Sequence, residues 1–174
     1  MKSGSEPQPR PGSVPKAILP SEEAEVIDLC LRVAQFLGLP KSVGEIYGLL
    51  FITAHPLTLD DLTEKLSISQ GSASQGLRLL RTLGAVKPHY VPGDRRDFYS
   101  PETGLGRLAE GFMKARVVPG LEDLRERLET LDTKMKEASG PDKEFLRKRM
   151  SKLQQWQKQA AGFAPLLSKL MKAV

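Results

Sequence analysis

Cysteine is almost missing from this chain. Cys30 alone excludes an internal disulfide framework and suits a reducing compartment, so the cytoplasm is the expected location. Histidine is nearly as scarce, and His55 and His89 stand in no metal-ligand spacing with Cys30. No apolar run approaches the roughly 20 residues that a bilayer-spanning helix needs. The first residues, Met1 to Pro20, hold Lys2 and Arg10 but no apolar segment, so a secretory signal is not expected there. Neither a phosphate-cradling loop nor an activated nucleophile occurs. The expectation is a protein that is not an enzyme, with no catalytic residues, no cofactor, no metal site and no membrane partner.

What the chain has is positive charge, +5 overall, which points toward a polyanionic partner. It is concentrated twice. From Ser69 to Arg96 the cations Arg78, Arg81, Lys87, Arg95 and Arg96 face Asp94 alone. From Lys143 to Lys172 eight cations face Glu144 alone.

Residues 1–20 are rich in Pro, Ser and Gly, with too few large apolar side chains to offset the entropy of ordering them, and read as a disordered tail. Residues 21–102 read as one compact domain. A first helix is expected from Ser21 to about Gly38, with Val26, Leu29, Cys30, Val33, Phe36 and Leu37 as its apolar stripe. Cys30 on that stripe reads as a small core residue. Ser42-Val43-Gly44-Glu45 has the pattern of a capping box, opening a helix that proline stops at His55-Pro56. Gly44 and Gly48 share a face that would admit another helix closely. Thr58 caps a short helix to Leu66, and a Ser67-Ile68 link leads to a fourth helix from Ser69 to about Leu83, ended by Gly84. Two strand-like stretches follow, Ala85 to Val91 and Arg96 to Tyr99. Between them Pro92-Gly93-Asp94 suits a type II turn. The expected fold class is mainly α with a small β-hairpin wing, a winged helix-turn-helix.

Residues 103–174 read as a helical dimerisation region. Leu121, Leu124, Leu128, Leu131 and Met135 alternate steps of three and four, the seam of a coiled coil. Gly140-Pro141 breaks the chain, and Leu146, Met150 and Leu153 continue a similar seam until Pro165 kinks or ends the helix. Such helices fold against each other, against a second chain, or both. A homodimer is the expectation.

The fourth helix carries the functional signal. Its first half, Ser69-Gln70-Gly71-Ser72-Ala73-Ser74-Gln75-Gly76, is made of small and hydrogen-bonding residues, although each glycine costs about 1 kcal/mol against alanine. Small residues let a helix N-terminus approach a polyanion, and its free N–H groups favour phosphate. Ser69, Gln70, Ser72, Ser74 and Gln75 can reach phosphates or base edges, and Arg78 can fork onto guanine. Arg81 and Lys87 add cations, while Ala73, Leu77 and Leu80 face the core. In the hairpin, Arg95 or Arg96 can enter a minor groove, with Asp94 holding one of them through a bidentate pair. His89 is either a phosphate contact or an exposed strand residue. Double-stranded DNA is the expected partner.

The runs Leu39 to Leu50, Leu57 to Leu62, Ser69 to Ser74 and Val91 to Arg96 together resemble the GbsR-like branch of the MarR transcription regulators, over roughly Ile27 to Tyr99. The resemblance implies a dimeric winged-helix repressor, with recognition residues from Ser69 to Arg78 and a wing at Pro92 to Arg96. It also implies a possible small-molecule effector that is choline-like. A quaternary ammonium wants an aromatic cage, and aromatics at 6% of the chain form no cluster that announces one. Two other readings compete with sequence-specific regulation: a winged helix that binds proteins, which should expose apolar anchors on the fourth helix, and an architectural protein that binds DNA without base preference.

Overall fold

A computed structural model describes residues 21–137 and 142–172. It contains helices α1 (Ser21–Phe36), α2 (Lys41–Ile52), α3 (Leu59–Leu66) and α4 (Gln70–Thr82), then α5 (Leu105–Phe112), α6 (Val118–Glu137) and α7 (Lys143–Lys172). Strands β1 (Leu57–Thr58), β2 (Val86–His89) and β3 (Phe98–Pro101) form one sheet in the order β1-β3-β2. The chain divides into two compact units, one within residues 1–78 and 88–100, the other within 79–87 and 101–174. No helix among the described residues is long and apolar enough to cross a membrane.

The first unit is built around α2. Val43, Ile46, Leu49 and Leu50 are buried, and Leu62, Ala73 and Leu77 complete the core with Leu57 and Tyr99. Helix α1 lies against α2 at backbone distance. A Cβ added at Gly44 would stand 2.5 Å from Leu31 Cα, and one added at Gly48 would stand 2.8 Å from Ile27 Cα. The expected close approach over these two glycines is therefore present. Its geometry corrects the expected stripe of α1. Ile27 and Ala34 are buried with Cys30 half-buried, whereas Leu29, Val33 and Phe36 are exposed. So tight a seam accepts the small or backbone-near groups of α1, and the larger apolar set is turned away. Burial also pushes the Cys30 thiol pKa up, which keeps the group in its unreactive form.

Local chemistry sets the remaining boundaries. The capping box expected at Ser42 does not form: Pro40 is the N-cap of α2 and makes no side-chain cap bond. The helix starts one residue before Ser42, at Lys41, and Glu45 pairs with Lys41 at 3.2 Å. A reciprocal box does form at α3. Thr58 Oγ1 accepts from Asp61 N–H at 3.2 Å, and Thr58 N–H donates to the Asp61 carboxylate at 2.8 Å. Thr58 also belongs to β1, which pairs antiparallel with β3 through Leu57↔Tyr99 and Thr58↔Phe98. Two residues are too few to show a strand period in sequence. The hairpin strands are shifted from the expected bounds: β2 stops at His89 and β3 starts at Phe98. Pro88, which has no N–H to donate, is tolerated because β2 is an edge strand.

The second unit is helical apart from the sheet ends that enter it. Helix α5 passes through a π-helical turn, Met113–Val117, into α6. Pro119 has no N–H to offer the carbonyl four residues back, and the chain widens just before it. Gly111 faces the Leu83 carbonyl so closely that an added Cβ would stand 1.9 Å from its oxygen. Helix α7 packs on α6 and on α5, with Leu128, Met150 and Ala164 buried in the unit, and Gln157 Nε2 donates to the Leu121 carbonyl at 3.2 Å. Pro165 does not end α7, which continues to Lys172. The expected break at Gly140-Pro141 lies outside the described residues.

Candidate nucleic-acid interface

Helix α4 begins with a cap. Ser69 Oγ accepts from Ser72 N–H at 3.1 Å, which leaves the Ser69 hydroxyl proton available to donate. Ala73, Gly76 and Leu77 turn inward, while Gln70, Gly71, Ser72, Ser74, Gln75 and Arg78 are exposed. Gln70, Ser74 and Arg78 recur every four residues and therefore line one face. Their span is about 12 Å along the axis, matching three to four base pairs at ~3.4 Å each. Gln75 lies beside this line and Ser72 at its flank.

The two glycines of α4 have separate roles. Gly71 faces open space, its added Cβ meeting only Ser69 Oγ at 4.0 Å. Gly76 does not serve approach to a polyanion, because it packs on α2: an added Cβ would stand 2.6 Å from Ile46 Cδ1. A side chain there would push α4 off its support.

In the wing, Asp94 N–H donates to the Val91 carbonyl at 3.1 Å, and Gly93 takes φ +88°. This is the expected type II turn, with glycine where φ must be positive. Arg96 grips Asp94 as a fork, Nε at 3.0 and 3.1 Å and one terminal nitrogen at 2.6 Å, and Arg96 N–H adds a bond at 2.9 Å. The guanidinium hydrogen bonds, followed by that backbone bond, hold the Asp94 carboxyl down to about 2. Arg96 also lies over the Phe98 ring at 5.5 Å and feels the carboxylates of Asp61 and Asp60. It is therefore held in place from several sides. Arg95 is exposed at the same loop. His89 is bonded to Ser100 across the hairpin.

Arg81 and Lys87 belong to the second unit. Arg81 is exposed. Lys87 Nζ is 2.5 Å from the carboxylate of Glu102, which is only 2% exposed and also takes Arg107 at 2.7 Å and Gly104 N–H at 2.8 Å. These donors, Arg107 and Lys87 first, hold the Glu102 carboxyl far below its ordinary range. Sequence reasoning missed Glu102, since residues 87, 102 and 107 share no periodic spacing. The shift of Lys87 from an unengaged cation to an ion-pair partner follows from the same contact.

Of the expected dimerisation residues, Leu128 and Met150 are buried within the chain and Leu121 and Met135 are half-buried, while Leu124, Leu131, Leu146 and Leu153 are exposed. The α6–α7 contact consumes part of the seam and leaves the rest to solvent.

Helices α1 and α2, the pair α3-turn-α4 that follows them, and the hairpin of β2 and β3 define a winged helix-turn-helix. A solved structure described as a transcriptional regulator shares this architecture with TM-score 0.66 and 16% identity, over 87% of this chain and 97% of that one. The sequence is 32% identical over 87 residues to the HTH-type transcriptional repressor GbsR of Bacillus subtilis (strain 168), covering 50% of this chain and 48% of the relative. It is 26% identical over 88 residues to the putative HTH-type transcriptional regulator YvaV of the same organism, covering 51% of this chain and 50% of the relative. To the HTH-type transcriptional repressor OpcR of that organism it is 26% identical over 85 residues, covering 49% and 46%. The chain thus spans about half the length of the curated relatives it matches. No family model matches it. The resemblance to the GbsR-like branch holds over that half.

Proposed function

We propose that the chain is a sequence-specific DNA-binding transcription regulator, a repressor that acts as a dimer on an inverted repeat. The observation that carries this reading is the solvent face of α4, where Gln70, Ser74 and Arg78 stand in line with Gln75 and Ser72 beside them. Amide, hydroxyl and guanidinium groups on the N-terminal half of such a helix suit base edges in a major groove. The apolar anchors that a protein-binding helix would present are on its other side. The exposed wing cations suit the flanking backbone or minor groove, and the names of the three relatives support the same class. In this reading two copies place two α4 helices one duplex turn apart. An effector, choline-like by the resemblance, would act by binding two spacings of the dimer unequally.

The test is selection of bound duplexes from a random pool at near-physiological salt. Enrichment of an inverted repeat is the expected result. Retention without a motif, or no retention, overturns the proposal.

A further inference from the structure

The wing leaves an apolar tip in solvent. Strand β2 ends at His89 and β3 starts at Phe98, and the residues that follow β2 are Tyr90, Val91 and Pro92. Tyr90 is 81% exposed and Val91 41%, with Pro92 exposed beside them. None of the three belongs to the buried core.

The backing of this tip is bonded at each level. His89 bonds to Ser100 across the hairpin. Asp94 N–H closes the turn on the Val91 carbonyl, and the fork of Arg96 on Asp94 fixes the returning segment. Arg96 also lies over the Phe98 ring and feels the Asp61 carboxylate of α3. Strand β3 pairs with β1 just before α3. The tip is thus braced on the segment that leads through α3 into α4.

A stable protein interface takes about 20–30 residues a side, whereas an apolar wedge in a DNA minor groove needs only one or two side chains. A tip of Tyr90, Val91 and Pro92 suits the groove. The charges around it agree. Both carboxylates of the loop are engaged, Asp94 by Arg96 and Asp97 by the Tyr99 hydroxyl at 3.4 Å, while Arg95 is exposed and can neutralise a phosphate. A tyrosine ring offers a flat apolar face to a base or sugar, and its hydroxyl can bond at the groove edge.

We propose that Tyr90, backed by Val91 and Pro92, is a wedge that enters the minor groove flanking the α4 site and unstacks one base step there. This rests on the DNA-binding reading above and adds a specificity-determining residue that reads deformability instead of base edges. Pyrimidine–purine steps such as TA and CA are the most easily unstacked. The wedge therefore selects such a step at a fixed distance from the bases that α4 contacts, and it bends the duplex at each wing.

The experiment uses the full chain and the duplex enriched by selection. In that duplex 2-aminopurine, whose emission rises on unstacking, replaces each flanking adenine in turn. The parent, Tyr90→Ala and Tyr90→Phe are compared by this emission, by affinity, and by the end-to-end distance of a doubly labelled duplex. The parent should raise the emission at one step outside each α4 site and shorten the end-to-end distance. Tyr90→Ala should lose both signals, bind about tenfold more weakly, and lose the preference at that step while keeping the preferences at the positions that α4 reads. Tyr90→Phe should keep both signals, because the ring is the wedge. Emission that rises at no flanking step with the parent, a rise that survives in Tyr90→Ala, or one that is lost in Tyr90→Phe overturns the wedge and leaves base reading by α4 intact. A pool from which no duplex is enriched overturns both.

Discussion

The two units bury helices of similar amphipathic make-up by different means. In the first, Gly44 and Gly48 bring α1 to backbone distance of α2, and Ile46, Leu49 and Leu50 are sealed at 1% exposure or less. In the second, α6 and α7 pack on each other with Leu128 and Met150 buried, while Leu124, Leu131, Leu146 and Leu153 stay in solvent. Close approach through small residues seals the α1–α2 contact, while Leu29, Val33 and Phe36 of α1 stay exposed. A leucine seam makes a contact that buries Leu128 and Met150 and leaves other leucines of the same pattern exposed. The contrast separates a close-packed support for α4 from a helical pair whose leucine pattern is only partly buried.

That contrast breaks first at Gly44. Alanine there must displace α1 backbone, and overpacking should cost about 3 kcal/mol, read as a fall in melting temperature that dilution does not change. A tolerated alanine would mean that α1 and α2 are not close-packed. In the helical pair α6–α7, Leu128→Ala should cost about 2 kcal/mol, the low end for a buried leucine, because exposed Leu124 and Leu131 beside it leave the site room to collapse. If the C-terminal unit is completed by a second copy, this melting temperature should rise with protein concentration.

Glu102 sharpens the comparison within the second unit. Glu102→Gln removes a buried carboxylate that holds Lys87 and Arg107, with an expected loss of about 1.5 kcal/mol, measured by denaturant titration.

The smallest effect is acid sensitivity of the wing. Asp94, pulled to about 2, and Asp61, lowered chiefly by the Thr58 hydroxyl, have folded pKa values below the roughly 3.9 of an unfolded aspartate. Their stabilisation is present above that value and is lost as pH falls through the folded pKa. Exchange protection of the Arg96 and Asp61 amides should therefore be unchanged from pH 7 to 5 and decline from about pH 4 downward. In Asp94→Asn the Arg96 amide should lose this acid step. A step that persisted there would detach Asp94 from the fork.

Much of the first unit was legible because its signals are local. Thr58 as a cap, Gly84 as a helix end, Pro92-Gly93 as a turn and Asp94 as an arginine clamp each depend on neighbours within four residues. The line of exposed polar groups on α4 follows from period alone. What was not legible depends on packing between distant segments. The inward face of α1 is chosen by glycines on α2, the inward role of Gly76 by Ile46, and the burial of Glu102 by cations 15 residues before it and 5 after it in the sequence. Ser42 shows the opposite failure, a correct local pattern displaced when the helix started one residue early.

The most direct test of the central claim is a comparison of the parent with Arg78→Ala on the selected repeat, varied one base pair at a time. The account predicts that Arg78→Ala flattens the preference at one position in each half-site, by about 1–3 kcal/mol, and leaves the other positions as they were. Identical base profiles for the two proteins would contradict it.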